Sequence, residues 1–195
     1  MKLDKSNGYE RIATMYIEAR GKKINGIGAS TVRSWAGRQP RTATILDIGC
    51  GTGFPITKVL VEEGMKVYGL DASETMIHAF RLNFPTLPSV CEPVEESSFF
   101  NRSFDGIVAW GLLFLLGEEV QEIVIRKAAS ALGTKGSFLF TAPSQRIDWK
   151  DAMTGANSFS LGKEKYKELL SASGLSLVEE FGDEGGNYYY NAIKI

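Results

Sequence analysis

Apolar positions repeat with two periods along the chain. Tyr9, Ile12, Ala13, Tyr16 and Ile17 fall at i, i+3, i+4, i+7 spacing and predict an N-terminal helix, with Gly21 as its C-cap. A second short helix is expected over 29–36, before Gly37 to Pro40 breaks the chain. From Thr42 onward short apolar runs alternate with amphipathic stretches. The runs predict strands at 45–48, 67–70, 89–91, 106–110 and 138–141. Between them, 54–63 reads as a helix with Pro55 in its first turn and Gly64 at its end. Ser73 can N-cap a helix carrying Met76, Ile77 and Phe80 on one face, and 118–132 presents Ile123, Val124, Lys127 and Ala131 at helical spacing. The last third predicts an amphipathic helix at 163–173 with Tyr166, Leu169 and Leu170 inward, a strand at 175–181, a turn at 183–186 and a final strand at 188–195. The stretch 143–160 reads as a long irregular loop, a lid or mere connection.

Strands separated by helices point to a parallel α/β sheet covered on both faces. The last two strands, joined by a short Gly turn, must be antiparallel, so the sheet is expected to end in a hairpin. A chain of 195 residues has room for one domain. Charge is nearly balanced, with 22 Lys plus Arg against 23 Asp plus Glu, which leaves no global field to hold nucleic acid or an anionic membrane. Cys50 and Cys91 are too few for a disulfide scaffold and lack the paired spacing of a zinc site, and His78 is the one histidine. No metal site is expected. No signal-peptide core is visible in the first 20 residues, and no apolar run is long enough for a membrane span. A cytoplasmic enzyme or binding domain is the expectation.

The strongest local signal is Leu46-Asp47-Ile48-Gly49-Cys50-Gly51-Thr52-Gly53, which leaves a strand and enters a helix. Alternate glycines allow a sharp turn and close approach of a ligand, and the helix start adds oriented N–H groups. The spacing is G-x-G-x-G, not the G-x-G-x-x-G of dinucleotide binding, and the Lys and Ser/Thr of a P-loop are missing. Asp71 ends the next strand, where an acid can accept both hydroxyls of a ribose. Asp47 is unfavourable beside a pyrophosphate but suits a ligand with an ammonium group.

With Asp71, this run resembles the cofactor motifs of class I S-adenosylmethionine-dependent methyltransferases. Ser103-Phe104-Asp105-Gly106-Ile107-Val108 is similar to the segment leading into their fourth strand, 110–116 to their cofactor-covering loop, and Gly133-Thr134-Lys135-Gly136 to the turn before their fifth. The resemblance runs from Thr42 to Ile195. It implies a Rossmann-like seven-stranded sheet of order 3-2-1-4-5-7-6 with strand seven antiparallel, over 41–195, behind a helical cap at 1–40. It implies S-adenosyl-L-methionine as cofactor and S-adenosyl-L-homocysteine as product. Asp47, Gly49, Cys50, Gly51 and Gly53 would hold the methionine part, Asp71 the ribose, and Ala72 and Met76 the adenosine pocket. Val94 and Glu95 take the adenine position, where Pro93 stands in place of the family's frequent Asp. Trp110 and Gly111 would face the sulfonium, and Tyr16 and Arg20 would close over the cofactor carboxylate.

Displacement at a sulfonium needs alignment and exclusion of water more than an acid, so one histidine suffices. His78 reads as a surface or packing residue, Cys50 as a small residue fitting the loop, and Phe99-Phe100 as core. Candidates for the substrate pocket are Trp110, Trp149, Glu184, Tyr188 and Tyr190, the tyrosines sharing one strand face and forming an aromatic wall beside a carboxylate. Ala109-Trp110-Gly111-Leu112 stands where base-methylating enzymes carry an Asn/Asp-Pro-Pro-Tyr tetrad, a second reason to expect no nucleic-acid substrate. A small-molecule acceptor is the leading expectation, for a monomer or a homodimer. The alternatives are a cofactor-binding protein without turnover, or methylation of a protein or tRNA through a partner.

Overall fold

The computed structural model describes residues 4–20 and 26–195, the side chain of Arg20 excepted. Gly21, the expected cap of the first helix, lies outside the described residues. The helices are α1 (Tyr9–Arg20), α2 (Ala29–Ala36), α3 (Ile56–Glu62), α4 (Glu74–Asn83), α5 (Glu118–Ala131) and α6 (Lys163–Ala172). The strands are β1 (Thr44–Ile48), β2 (Lys66–Asp71), β3 (Ser89–Cys91), β4 (Phe104–Ala109), β5 (Leu132–Thr141), β6 (Arg146–Lys150), β7 (Asn157–Leu161), β8 (Leu175–Gly182) and β9 (Tyr188–Lys194). Seven strands form one sheet in the order β3-β2-β1-β4-β5-β9-β8. Its first five members are parallel, and β9 runs antiparallel to both β5 and β8. With the separate β6–β7 pair set aside, this is the strand order that the resemblance implies.

Central strands buried on both faces read as continuous apolar runs, and β1 shows why. Ile45 packs under Val32 and Trp35 of α2 and Val59 and Leu60 of α3. Its neighbours Leu46 and Ile48 point the other way, into a core with Val124, Ile125 and Ala128 of α5 and Tyr166 and Leu170 of α6. Helix α2 therefore belongs to the layer that covers the sheet. Of the expected N-terminal cap, only α1 packs elsewhere, against α4. His78 is exposed on α4, and Phe99 is buried as expected. No helix among the described residues is long and apolar enough to cross a membrane.

Two expectations are corrected. The stretch 143–160 is not irregular: β6 and β7 pair antiparallel over five residue pairs, from Arg146–Leu161 to Lys150–Asn157. Four of the five β6 residues are exposed, so no buried face imposes an alternating pattern on the sequence. On α5 the buried stripe is Gln121, Val124, Ile125, Ala128 and Ala129, rotated from the expected one. Lys127 lies at its border and is used at the site below.

Candidate functional site

A cavity of about 380 Å³ opens at the carboxyl ends of β1, β2 and β4, where open α/β sheets hold ligands. Its floor is the turn after β1. Gly49 and Gly51 adopt left-handed φ of 72° and 52°, and the amides of Gly49 and Cys50 donate to the Leu70 carbonyl at 2.7 and 3.1 Å. A Cβ on Gly51 would meet nothing, so this turn presents bare backbone to the cavity. Below it lies Asp47, fully buried, accepting from the Thr57 hydroxyl at 2.6 Å. Burial pushes its pKa up to about 7, opposed by the Thr57 hydrogen bond and assisted by the charge of Asp71. Asp71 accepts from the amides of Gly51 at 2.8 Å and Ser73 at 2.9 Å, tying the turn to the end of β2. Burial also raises its pKa, against those backbone hydrogen bonds.

The walls come from four further segments. Val94 and Glu95 follow β3, and Lys127 holds their turn by donating to the carbonyls of Val94 (3.0 Å), Glu95 (2.9 Å) and Ser97 (2.5 Å). After β4 come Trp110 and Gly111, the latter's amide donating to the Thr141 hydroxyl at 2.8 Å. The turn between β6 and β7 brings in Asp151 and Met153, shaped by the Asp151 carboxylate, which accepts from the amides of Met153 (2.9 Å) and Thr154 (2.8 Å). Tyr9 and Tyr16 reach in from α1. Glu10 fastens that helix to the start of α4, accepting from the Ser73 hydroxyl and from the Thr75 hydroxyl at 2.7 Å and amide at 3.2 Å. Lys5 pairs with Glu95 at 3.1 Å and with Glu96.

Tyr16, Asp47, Gly49, Cys50, Gly51 and Asp71 thus share one cavity with Ala72, Met76, Val94, Glu95, Trp110 and Gly111. The Arg20 side chain lies outside the described residues. Gly53 stands apart: a Cβ there would lie 2.3 Å from the Phe84 ring, so its absence serves packing against α4. Most substrate-pocket candidates are also displaced. Tyr190 is fully buried and stacks on Phe140 at 4.8 Å, with Tyr188 packed edge-on beside it at 5.3 Å. Neither reaches the cavity, because their strand face turns toward α6. Glu184 is exposed away from it, and Trp149 stands one ring behind Phe114, with centroids 5.7 Å apart. Sequence reasoning missed Glu10; Asp151 and Asn187 lie in segments it singled out, 143–160 and the turn before the last strand, but nothing there marked which side chain faces inward.

A family model described as a methyltransferase domain matches residues 45–136, from β1 into β5. Over that stretch, just under half of its length, the chain is similar to methyltransferase domains. The chain is 28% identical over 174 residues to the biotin biosynthesis bifunctional protein BioHC of Teredinibacter turnerae, covering 78% of this chain and 30% of that protein. It is 33% identical over 100 residues to an uncharacterized methyltransferase of Schizosaccharomyces pombe, covering 49% of this chain and 38% of that one. The chain therefore spans about a third of the length of these curated relatives. CalS10 of Micromonospora echinaspora, an amino pentose methyltransferase solved with S-adenosylmethionine bound, shares the fold with a TM-score of 0.75 at 15% identity, over 93% of this chain and 97% of that one.

Proposed function

We propose that this class I domain binds S-adenosylmethionine in the cavity described above and transfers its methyl group to a small-molecule acceptor. One observation carries the reading: two acids, Asp47 and Asp71, flank a bare glycine turn where two neighbouring parallel strands end. These residues fit the chemical parts of the cofactor. Asp71 has carboxylate oxygens to accept from ribose hydroxyls while it holds the turn. Asp47 gains an ionised state beside an ammonium group. Ala72, Met76 and Val94 offer apolar walls to a flat base, with Glu95 at its edge as an acceptor. When bound, the cofactor supplies a methyl group on a positively charged sulfur.

The chain's part is binding, alignment and exclusion of water, the effects that dominate such a displacement. Trp110 and Gly111 bound the end of the cavity assigned to the sulfur. Tyr9 and Tyr16 of α1 face the turn between β6 and β7 across the cavity, and Arg11 links the two by donating to the Thr154 carbonyl at 2.8 Å. That pair forms the cover. A cavity of this size, enclosed by two covering segments, favours a small acceptor over a polymer.

Calorimetric titration with S-adenosylhomocysteine is the direct test. Binding in the micromolar range or tighter, about −8 kcal/mol, is expected, and the absence of heat would overturn the reading. Mass detection of methylated products from amines, phenols, thiols and carboxylic acids then tests turnover. Silence across that panel, with binding intact, would select the binding-only alternative.

A further inference from the structure

The carboxylate of Asp183 lies outside the cavity, in the turn between β8 and β9, yet it reaches two of the cavity's walls. One oxygen accepts from the Asn187 amide at 2.9 Å and from its side-chain nitrogen at 3.1 Å. The other accepts from that nitrogen at 3.0 Å and from the Tyr189 hydroxyl at 2.8 Å. The Tyr189 oxygen in turn accepts from the indole N–H of Trp110 at 2.8 Å. Asn187 and Trp110 both line the cavity, whereas Asp183 and Tyr189 do not.

The direction of this chain is set at both ends. An indole N–H only donates, and a carboxylate only accepts, so the tyrosine hydroxyl has one arrangement that satisfies both neighbours. Burial, then the Asp183 carboxylate, raise the Tyr189 pKa, which keeps the hydroxyl protonated in that role. Burial disfavours the charge on Asp183, but the hydrogen bonds from Asn187 and Tyr189 outweigh it and hold its pKa below the usual carboxylate range. The rings are held sterically as well. Tyr189 is fully buried and stacks on Phe181 at 5.1 Å, with 7° between the planes. Gly28, at φ 90°, leaves room for the indole, since a Cβ there would lie 2.4 Å from the Trp110 nitrogen. Spending the Asn187 nitrogen on Asp183 also leaves its amide oxygen as the atom free for a ligand.

We infer that Asp183 is a positioning residue for methyl transfer, fixing the Trp110 indole through Tyr189 and the Asn187 amide directly, and so setting how the acceptor meets the methyl group. This inference rests on the proposed methyltransferase reading. It differs from the aromatic wall expected in sequence: the working tyrosine is Tyr189, on the opposite strand face from Tyr188 and Tyr190, and the working acid is Asp183, next to Glu184.

The test uses the full chain labelled with nitrogen-15. It has three tryptophans and hence three indole N–H resonances, and Trp110→Phe identifies the one that belongs to the site. Tyr189→Phe and Asp183→Ala should each shift that resonance and speed its exchange with solvent by roughly tenfold, as for losing one hydrogen bond. The Trp35 and Trp149 resonances should stay in place, and S-adenosylhomocysteine affinity should be retained. Asp183→Asn keeps an oxygen for Tyr189 but turns an amide N–H₂ toward Asn187. It should restore the Trp110 resonance, while the Michaelis constant for an acceptor found in the panel rises and that for S-adenosylmethionine does not. An unmoved Trp110 resonance in Tyr189→Phe would overturn the inference, and that near-isosteric variant decides the matter even where Asp183→Ala does not fold. Equal losses for cofactor and acceptor in Asp183→Asn would also overturn it. Failure of the wild-type chain to bind S-adenosylhomocysteine is a separate outcome: it removes the methyltransferase reading, whereas the resonance shifts test the Asp183–Tyr189–Trp110 chain independently.

Discussion

The charge of Asp71 opposes ionisation of Asp47, which is fully buried, whereas Asp71 stands half-buried at the cavity wall. A ligand ammonium near Asp47 would favour its ionised form. S-adenosylhomocysteine affinity should therefore be highest above the Asp47 pKa of about 7 and fall as pH drops below it, by at most about tenfold per pH unit for one proton. Titrations at several pH values check this, and Asp47→Asn should flatten the dependence while weakening binding overall. The ligand-free protein should respond with the opposite sign. An acid whose folded pKa is raised contributes stability in full below its unfolded value near 3.8, and that contribution is lost as pH rises through about 7. Denaturant melts of the wild type and Asp47→Asn across that window measure it. Asp71→Ala should weaken S-adenosylhomocysteine binding by about 1.5–3 kcal/mol, the worth of hydrogen bonds to a charged group; unchanged affinity would remove Asp71 from the site. Both acids were legible in sequence because each sits at a strand end with glycines beside it. The Asp183–Glu184 pair was not, because a turn, and not its composition, decides which neighbouring acid points inward. Nor does strand alternation say which face of Tyr188–Tyr190 turns toward Trp110; that depends on Phe140 and Tyr166, which claim Tyr190 for the core.

Among the elements, α1 has little of the buried apolar contact that holds the other helices: Ala13 is the one fully covered residue among those described in it. Its attachment is polar, through Glu10 at the N-terminus of α4, where the first-turn amides and the helix dipole favour an anion. Glu10→Ala should therefore release α1 at a cost of about 1–2 kcal/mol locally. Hydrogen exchange across α1 should speed up and S-adenosylhomocysteine should dissociate faster, while exchange in β1 and β4 stays as before. Uniform loosening of sheet and helix would contradict a local role. The helix itself was legible from its apolar spacing, but its clasp was not, since a first-turn Glu is a common feature of any helix. Lys127 misled for a physical reason. It sits at helical spacing beside apolar residues because its half-buried side chain carries the ammonium over the Phe99 ring, 5.0 Å from the centroid, to three carbonyls of the β3 exit turn. Lys127→Met should keep the stem and free the turn, so a local rise in exchange over 94–97 with little loss of global stability is the expected result.

The whole molecule divides its labour between a doubly covered sheet and a set of covers that the sheet positions but does not bury. Composition and periodicity were enough to establish an α/β sheet ending in an antiparallel hairpin, and the strand order came from the glycine motif's resemblance. The β6–β7 cover was invisible to both, because β6 is exposed and the buried positions of β7 include the polar Ser158 and Ser160, so neither strand carries an apolar alternation. This division has a thermodynamic consequence. Segments held by few buried apolar contacts open without unfolding the core, so without ligand α1 and the β6–β7 turn should exchange far faster than β1, β4 and β5. A ligand that touches the glycine turn, the β3 exit turn and both covers links these local openings to global unfolding. At a hundredfold excess over its dissociation constant it should add about 2.7 kcal/mol, raising the melting temperature of a domain of this size by roughly 5–10 °C. Calorimetric scans with and without S-adenosylhomocysteine measure the shift, and exchange mapping shows where the protection falls. Protection confined to the glycine turn, with α1 and the β6–β7 turn unchanged, would mean that these segments do not close on the ligand, and the acceptor would then meet the methyl group in an open cleft.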